Sequence, residues 1–125
     1  PEQMHNALAF AHLFVGESST MASESAVLAT PAIYINDSQL GYTCDLAKYG
    51  LLYSFTESIQ DQLDVIKKAE EIALKPNTKE EYLPKREKML ADKIDVSAFL
   101  IWFVENYPES FKEVKAKDFD FGRFK

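Results

Sequence analysis

Soft metal ligands and disulfide partners are almost missing: one cysteine, Cys44, and two histidines, His5 and His12, stand in 125 residues. A lone cysteine closes no internal disulfide, and three such side chains are too few for a structural zinc site, so the fold must rest on its core, and a reducing cytoplasm is the expected setting. Positive charge is also short. Fourteen Lys and Arg against twenty Asp and Glu leave a net charge of -6, which excludes the extended basic footprint of a nucleic-acid partner. No apolar run approaches the ~20 residues that cross a bilayer, and the first residues show no charged-then-apolar leader pattern. Only 4 Gly and 5 Pro are present, which excludes collagenous and low-complexity chains; no internal repeat is visible. What remains is 46% hydrophobic and 13% aromatic, a composition and length suited to one globular domain with a real core.

Apolar periodicity orders the chain. Met4, Ala7, Leu8 and Ala11 recur at helical spacing, with Pro1 at or near the first turn of that helix. "LFVG" (13–16), "AIYI" (32–35) and "LLYSF" (51–55) are short continuous apolar runs, the pattern of strands buried on both faces. Between the first two, Met21 to Ala29 reads as a helix ended by Thr30 and Pro31. "NDSQLGYTCDLAKYG" (36–50) reads as a surface loop. Thr56 to Ser58 cap an amphipathic helix with the stripe Ile59, Leu63, Ile66, Ala69 and Ala73, and Thr78 with Glu81 forms a capping box for the next. Asp95 caps a helix from Val96 to about Asn106, ended by Pro108; the tail from Lys112 to Lys125 shows no clear period. Alternating strands and helices indicate an α/β fold with a parallel sheet. The expected architecture is a three-layer, Rossmann-like half domain of about three parallel strands (1–75) with a helical C-terminal extension (76–125), within one domain.

The polar turn "GESST" (16–20) falls where the first strand meets the next helix. In open parallel sheets the ligand crevice lies beyond the carboxyl ends of the strands. Helix starts expose unpaired amides and partial positive charge, so Ser18, Ser19 and Thr20 present donors suited to a diphosphate. Glu24 follows Thr20 by one turn on the same face, in reach of the hydroxyls of an attached ribose. The plainer reading of the same residues is a capping serine and a solvated glutamate.

The stretch "MHNALAFAHLFVGESSTMASESAVLATPAIYI" (4–35) resembles the C-terminal lobe of GT-B nucleotide-sugar enzymes. It is most similar to a family of predicted glycosyltransferases related to UDP-N-acetylglucosamine 2-epimerase, and the lipid II glycosyltransferase of peptidoglycan synthesis shares the pattern. "DKIDVSAFLIWFVENYPESF" (92–111) resembles the C-terminal end of that predicted family. The resemblance implies that Ser18, Ser19 and Thr20 hold the diphosphate of a UDP-sugar, that Glu24 holds the ribose, and that His5 lies near the nucleobase. Ser19 and Thr20 stand where the relatives carry glycines, and Ala29 where they usually carry glycine before the strand. A GT-B enzyme works in the cleft between two lobes. The chain is therefore expected to be the C-terminal fragment of a longer one, with a missing N-terminal lobe as partner, no complete active site, no assigned catalytic residue, and no cofactor or metal. The rival reading is a non-catalytic α/β interaction module.

The other reactive side chains carry less. No Gly-x-Ser-x-Gly elbow surrounds Ser18, His12 suits a helix end, and Cys44, Tyr42 and Thr43 are expected in the loop, where the last two are candidates to touch a donor sugar. Val96, Phe99, Leu100, Trp102, Phe103 and Val104 cover nearly the whole circumference of their helix. The chain is accordingly expected to form a homo-oligomer through it or to fold Phe119 to Phe124 over it, either of which buries Trp102; cover by Tyr82 and Met89 is the compact alternative.

Overall fold

A computed structural model describes residues 3–38 and 40–125; Pro1 lies outside them. The chain forms two compact units, one up to Met89 and one from Leu90 to Lys125. The first contains α1 (Met4–Phe10), β1 (Phe14–Gly16), α2 (Ser19–Val27), β2 (Ala32–Ile35), α3 (Gly41–Lys48), β3 (Leu52–Phe55), α4 (Ile59–Ala73) and most of α5 (Thr78–Asp92). The three strands pair in parallel in the order β1-β2-β3, with Phe14 opposite Ala32 and Ala32 opposite Leu52. The architecture is the expected α/β half domain.

Both crossovers step in the same direction along the sheet, so right-handed connections put α2 and α3 on the same face. The core shows this: Ala22, Ala26 and Leu46 pack with Ala32, Tyr34 and Leu52, joined by Tyr82 and Met89 of α5. Alanines on the buried side of α2 let its backbone approach the sheet closely. On the opposite face, Val65 and Ile72 of α4 cover Ile33, with Ile35, Tyr53, Phe55 and Ala69 around them.

Three expectations are corrected. The segment read as a surface loop contains α3, which buries Thr43 and Leu46 against the sheet; a parallel step from β2 to β3 needs such a crossover. On α4 the sheet selects the face of Val65, Ala69 and Ile72, while Ile59 (80%), Leu63 (50%) and Ile66 (55%) remain exposed. The capping box at α5 does not form: Asn77 Oδ1 accepts from the Lys79 amide, Thr78 Oγ1 donates to the His12 carbonyl, and Glu81 pairs with Lys75 and Lys85. His12 also meets the Ile72 carbonyl through Nε2 at 3.1 Å, a structural tie between α4 and the entry to β1.

The two crossover helices end alike. After α3, Gly50 takes φ +67, its amide donates to Ala47 and the Leu51 amide donates to Leu46. After α2, Ala29 takes φ 58, its amide donates to Ala26 and the Thr30 amide donates to Ser25. Both are Schellman turns, in which the left-handed position ordinarily falls to glycine. Ala29→Gly is expected to stay within about 1 kcal/mol of the parent, since relief of left-handed strain and loss of a buried methyl oppose each other at similar size. Ala29→Val, with a branched Cβ at the same φ and no free volume at a fully buried site, is expected to cost about 2–3 kcal/mol. Urea midpoints of the two variants check the pair.

The second unit holds the end of α5, α6 (Val96–Glu105), α7 (Glu109–Lys115) and a 3-10 turn (Phe121–Phe124). Asp95 caps α6 through its carboxylate and the Ala98 amide. Phe119, Phe121 and Phe124 fold against Phe99, and Phe119 and Phe124 also meet Trp102, with ring centroids 5.4–6.5 Å apart. The Arg123 guanidinium lies 3.9 Å from the Trp102 ring centre. The tail therefore covers one side of α6, one of the two expected arrangements, but Trp102 stays half-buried instead of being buried by it, because the rings of Phe119 and Phe124 and the Arg123 guanidinium cover it only in part.

Candidate functional site

The site begins where β1 ends. Gly16 closes the strand, Glu17 is exposed, and Ser18 turns the chain with extended dihedrals (φ -80, ψ 108) to become the cap of α2. Ser18 Oγ accepts from the Met21 amide at 3.3 Å. The first intrahelical bond runs from the Ala22 amide to the Ser18 carbonyl, so the amides of Ser19 and Thr20 have no acceptor within the helix. The helix begins two residues earlier than its apolar pattern indicates, which places Ser19 and Thr20 in its first turn.

Ser19 is held from two sides. Its Oγ accepts the phenolic proton of Tyr42 at 2.9 Å, and its carbonyl accepts from Ser23 Oγ at 2.8 Å. Tyr42 belongs to the first turn of α3, so the bond ties together the starts of the two crossover helices. As an acceptor from Tyr42, the Ser19 hydroxyl keeps its own proton to give outward. Thr43, the loop's other candidate, is buried and donates to the Leu40 carbonyl instead. Cys44 is a half-buried thiol on α3, not a loop residue.

Glu24 lies one turn into α2, and the structure brings His5 of α1 to it: His5 Nε2 stands 3.4 Å from Glu24 Oε2, the glutamate side chain 36% exposed. His5, Ser23, Glu24, Val27 and Leu28 line an open groove of about 520 Å³. The groove thus has an apolar floor from α2 and a histidine–carboxylate pair at its rim; Ser18, Ser19 and Thr20 do not line it and lie further toward the start of the same helix, Thr20 one turn before Glu24. Among the described residues no buried polar side-chain atom lacks a hydrogen-bond partner, which fits a surface groove.

Cations reach α2 at its other end. Lys79 Nζ donates to the Leu28 carbonyl (2.8 Å) and Thr30 Oγ1 (2.7 Å), and Arg86 Nε donates to the Val27 carbonyl. They satisfy carbonyls at the negative pole of the helix, and burial together with the Arg86 charge holds the Lys79 amine below the ordinary lysine range. At the serine end the favourable field comes from the helix start itself, with Glu17 and Glu24 on either side. That balance limits the affinity for an anion and suits a ligand whose charged group meets the amides while its hydroxyls meet Glu24.

Five residues were expected at one site. Ser18, Ser19 and Thr20 stand at the start of α2, Glu24 lies one turn further along it, and the fold brings His5 to Glu24. The Tyr42 bond to Ser19 is legible only in three dimensions; its sole sequence signal is an exposed tyrosine after the second strand. Glu17 opens onto a separate groove of about 500 Å³ with Ile35, Glu57, Gln62, Val65 and Ile66, on the α4 face. No family model, no curated protein and no solved structure matches the chain. No helix among the described residues is long and apolar enough to cross a membrane.

Proposed function

We propose that this chain is the donor-binding lobe of a cytoplasmic nucleotide-sugar enzyme of the GT-B class, a glycosyltransferase or an epimerase, with a UDP-sugar as ligand. One observation carries the reading: one turn beyond the start of α2, which directly follows β1, Glu24 faces His5 at 3.4 Å across a groove that continues along the helix. In this reading the diphosphate sits on the Ser19 and Thr20 amides and the three hydroxyls, the ribose bonds Glu24, and the base lies along Val27 and Leu28 beside His5. The hydroxyls take over contacts that glycine amides make in the enzymes it resembles. In transfer chemistry the diphosphate is the leaving group, so preorganised donors here stabilise charge that grows in the transition state. A second lobe, as partner, supplies the acceptor side and the remaining catalytic groups.

UDP is expected to bind the isolated chain weakly, with Kd on the order of 0.1 to several mM, because half of the cleft is absent. Glu24→Ala is expected to weaken it roughly tenfold, the lower end for a hydrogen bond to a charged group, since Glu24 is partly solvated. Calorimetry of both proteins checks this, and equal affinities would remove Glu24 from the ribose. The chain alone is expected to turn over no sugar nucleotide; sustained transfer or epimerisation by the pure 125-residue protein would refute the half-site reading.

The second reading, a non-catalytic α/β interaction module, draws on the Ser18 hydroxyl, which already serves as the cap of α2. It predicts that no nucleotide perturbs the α2 start.

A further inference from the structure

The aromatic tail serves only one side of α6. Its rings sit on Phe99 and Trp102, and the chain closes there with the Asp95 amide donating to the Phe124 carbonyl at 2.6 Å. On the other side Val96, Leu100, Ile101 and Val104 are 58%, 52%, 60% and 72% exposed, with Tyr107 beyond them at 66%. Leu100, Ile101, Val104 and Glu105 line a shallow groove of about 400 Å³. From Val96 to Val104 the helix carries no charge. The tail that covers the first side is already committed, so the second needs another occupant.

We propose that this face of α6 joins two copies of the chain about a two-fold axis. The area is of the size that a second copy needs. The exposed side chains offer roughly 400–500 Å² of apolar surface per copy. A standard interface buries about 800 Å² per partner, of which about 65% is apolar in homodimers, or about 500 Å². The helix also complements itself. Ser97 and Ala98 lie in its first half and Val104 in its second, so antiparallel pairing centred between Leu100 and Ile101 sets the bulk of Val104 over the small Ser97 of the other copy. The groove's one charged lining residue is Glu105, which the same pairing sets opposite the apolar Val96 of the other copy rather than opposite a like charge. A chain of net charge -6 repels its copy at long range, so such a dimer tightens as salt screens that repulsion. The inference is independent of the nucleotide reading, because it uses none of the same residues.

Sedimentation velocity of the full chain tests it, with Leu100→Glu and Val104→Glu as variants at exposed positions and Leu63→Glu on α4 as a control at another exposed apolar site. The wild type is expected to be a dimer that dissociates in the micromolar range and tightens between about 50 mM and 500 mM salt. Each α6 variant is expected to raise the dimer Kd by about 100-fold, since two substituted copies meet in every interface, with an unchanged thermal midpoint at concentrations where both proteins are monomers. Leu63→Glu should dimerise as the wild type does. A wild type that stays monomeric up to about 1 mM overturns the proposal, including one that instead floats with lipid vesicles. A dimer that both α6 variants leave intact, or that Leu63→Glu dissolves, overturns it equally.

Discussion

Tyr82→Ala is expected to lower the unfolding free energy by about 3–5 kcal/mol, the largest effect of any single substitution in the first unit. Tyr82 is fully buried, joins α5 to the core that α2 and α3 make with the sheet, and shares a 2.8 Å hydrogen bond with the Tyr53 hydroxyl of β3. Lys85 Nζ lies 4.1 Å from its ring centre. Removing the ring deletes these contacts together and strands the half-buried Tyr53 hydroxyl. Against a total stability of about 5–15 kcal/mol for a domain, such a loss leaves little reserve. Tyr82→Phe isolates the hydroxyl and should cost only about 1 kcal/mol. Burial, then the Tyr53 hydrogen bond, holds the Tyr82 phenol well above the ordinary tyrosine range. The raised folded value means that the neutral phenol is favoured by folding, so its contribution is complete below pH ~10 and fades as pH rises above that. Urea midpoints at pH 7 and across the alkaline limb should therefore show a decline that Tyr82→Phe lessens. A loss under about 1 kcal/mol in Tyr82→Ala would mean that α5 is not part of this core.

In the second unit the corresponding position is Phe99. Its ring meets those of Trp102, Phe103, Phe119, Phe121 and Phe124. Phe99→Ala is expected to cost about 2–4 kcal/mol, below the full range for a buried ring because the cluster is partly open to water. A unit this short has little else to hold its tail, so the expected result is release of the tail from about Lys117 onward. Trp102 reports it, because its ring is covered by Phe119, Phe124 and Arg123: emission should shift to the red, and limited proteolysis should cut within the tail. An unshifted Trp102 spectrum and a protected tail would show that α7 and the 3-10 turn hold without the aromatic hub.

The three strands are legible in the sequence because each is a short apolar run, at 13–16, 32–35 and 51–55, but burial on both faces holds only for the central β2: Val15 of β1 and Ser54 of β3, on the edge strands, are exposed. Helix α3 is not, since only Thr43 and Leu46 of its eight residues are buried and Gly41 stands at its start; its one clear signal is Gly50, the left-handed residue that ends it. On α4 the period alone offers two stripes, Ile59–Leu63–Ile66 and Val65–Ala69–Ile72, and only the sheet selects between them. At the site, the capping serine is a local feature and can be read directly, whereas the apolar pattern starts α2 two residues late, at Met21 instead of Ser19. The His5–Glu24 pair, the Tyr42 bond to Ser19 and the cations at the end of α2 depend on tertiary packing across 19 to 59 residues of sequence, which no local pattern encodes.

The central claim, that the start of α2 holds the diphosphate of a nucleotide, is tested most directly by titrating UDP into the isotopically labelled chain and following its backbone amides. The account predicts that the resonances from Ser18 to Glu24, with those of His5 and Tyr42, move progressively and saturate at millimolar UDP, while α4 and the aromatic tail stay still. Amides of the α2 start that remain silent through saturating concentrations of UDP and of other nucleotides would contradict it and leave Ser18 as a helix cap and nothing more.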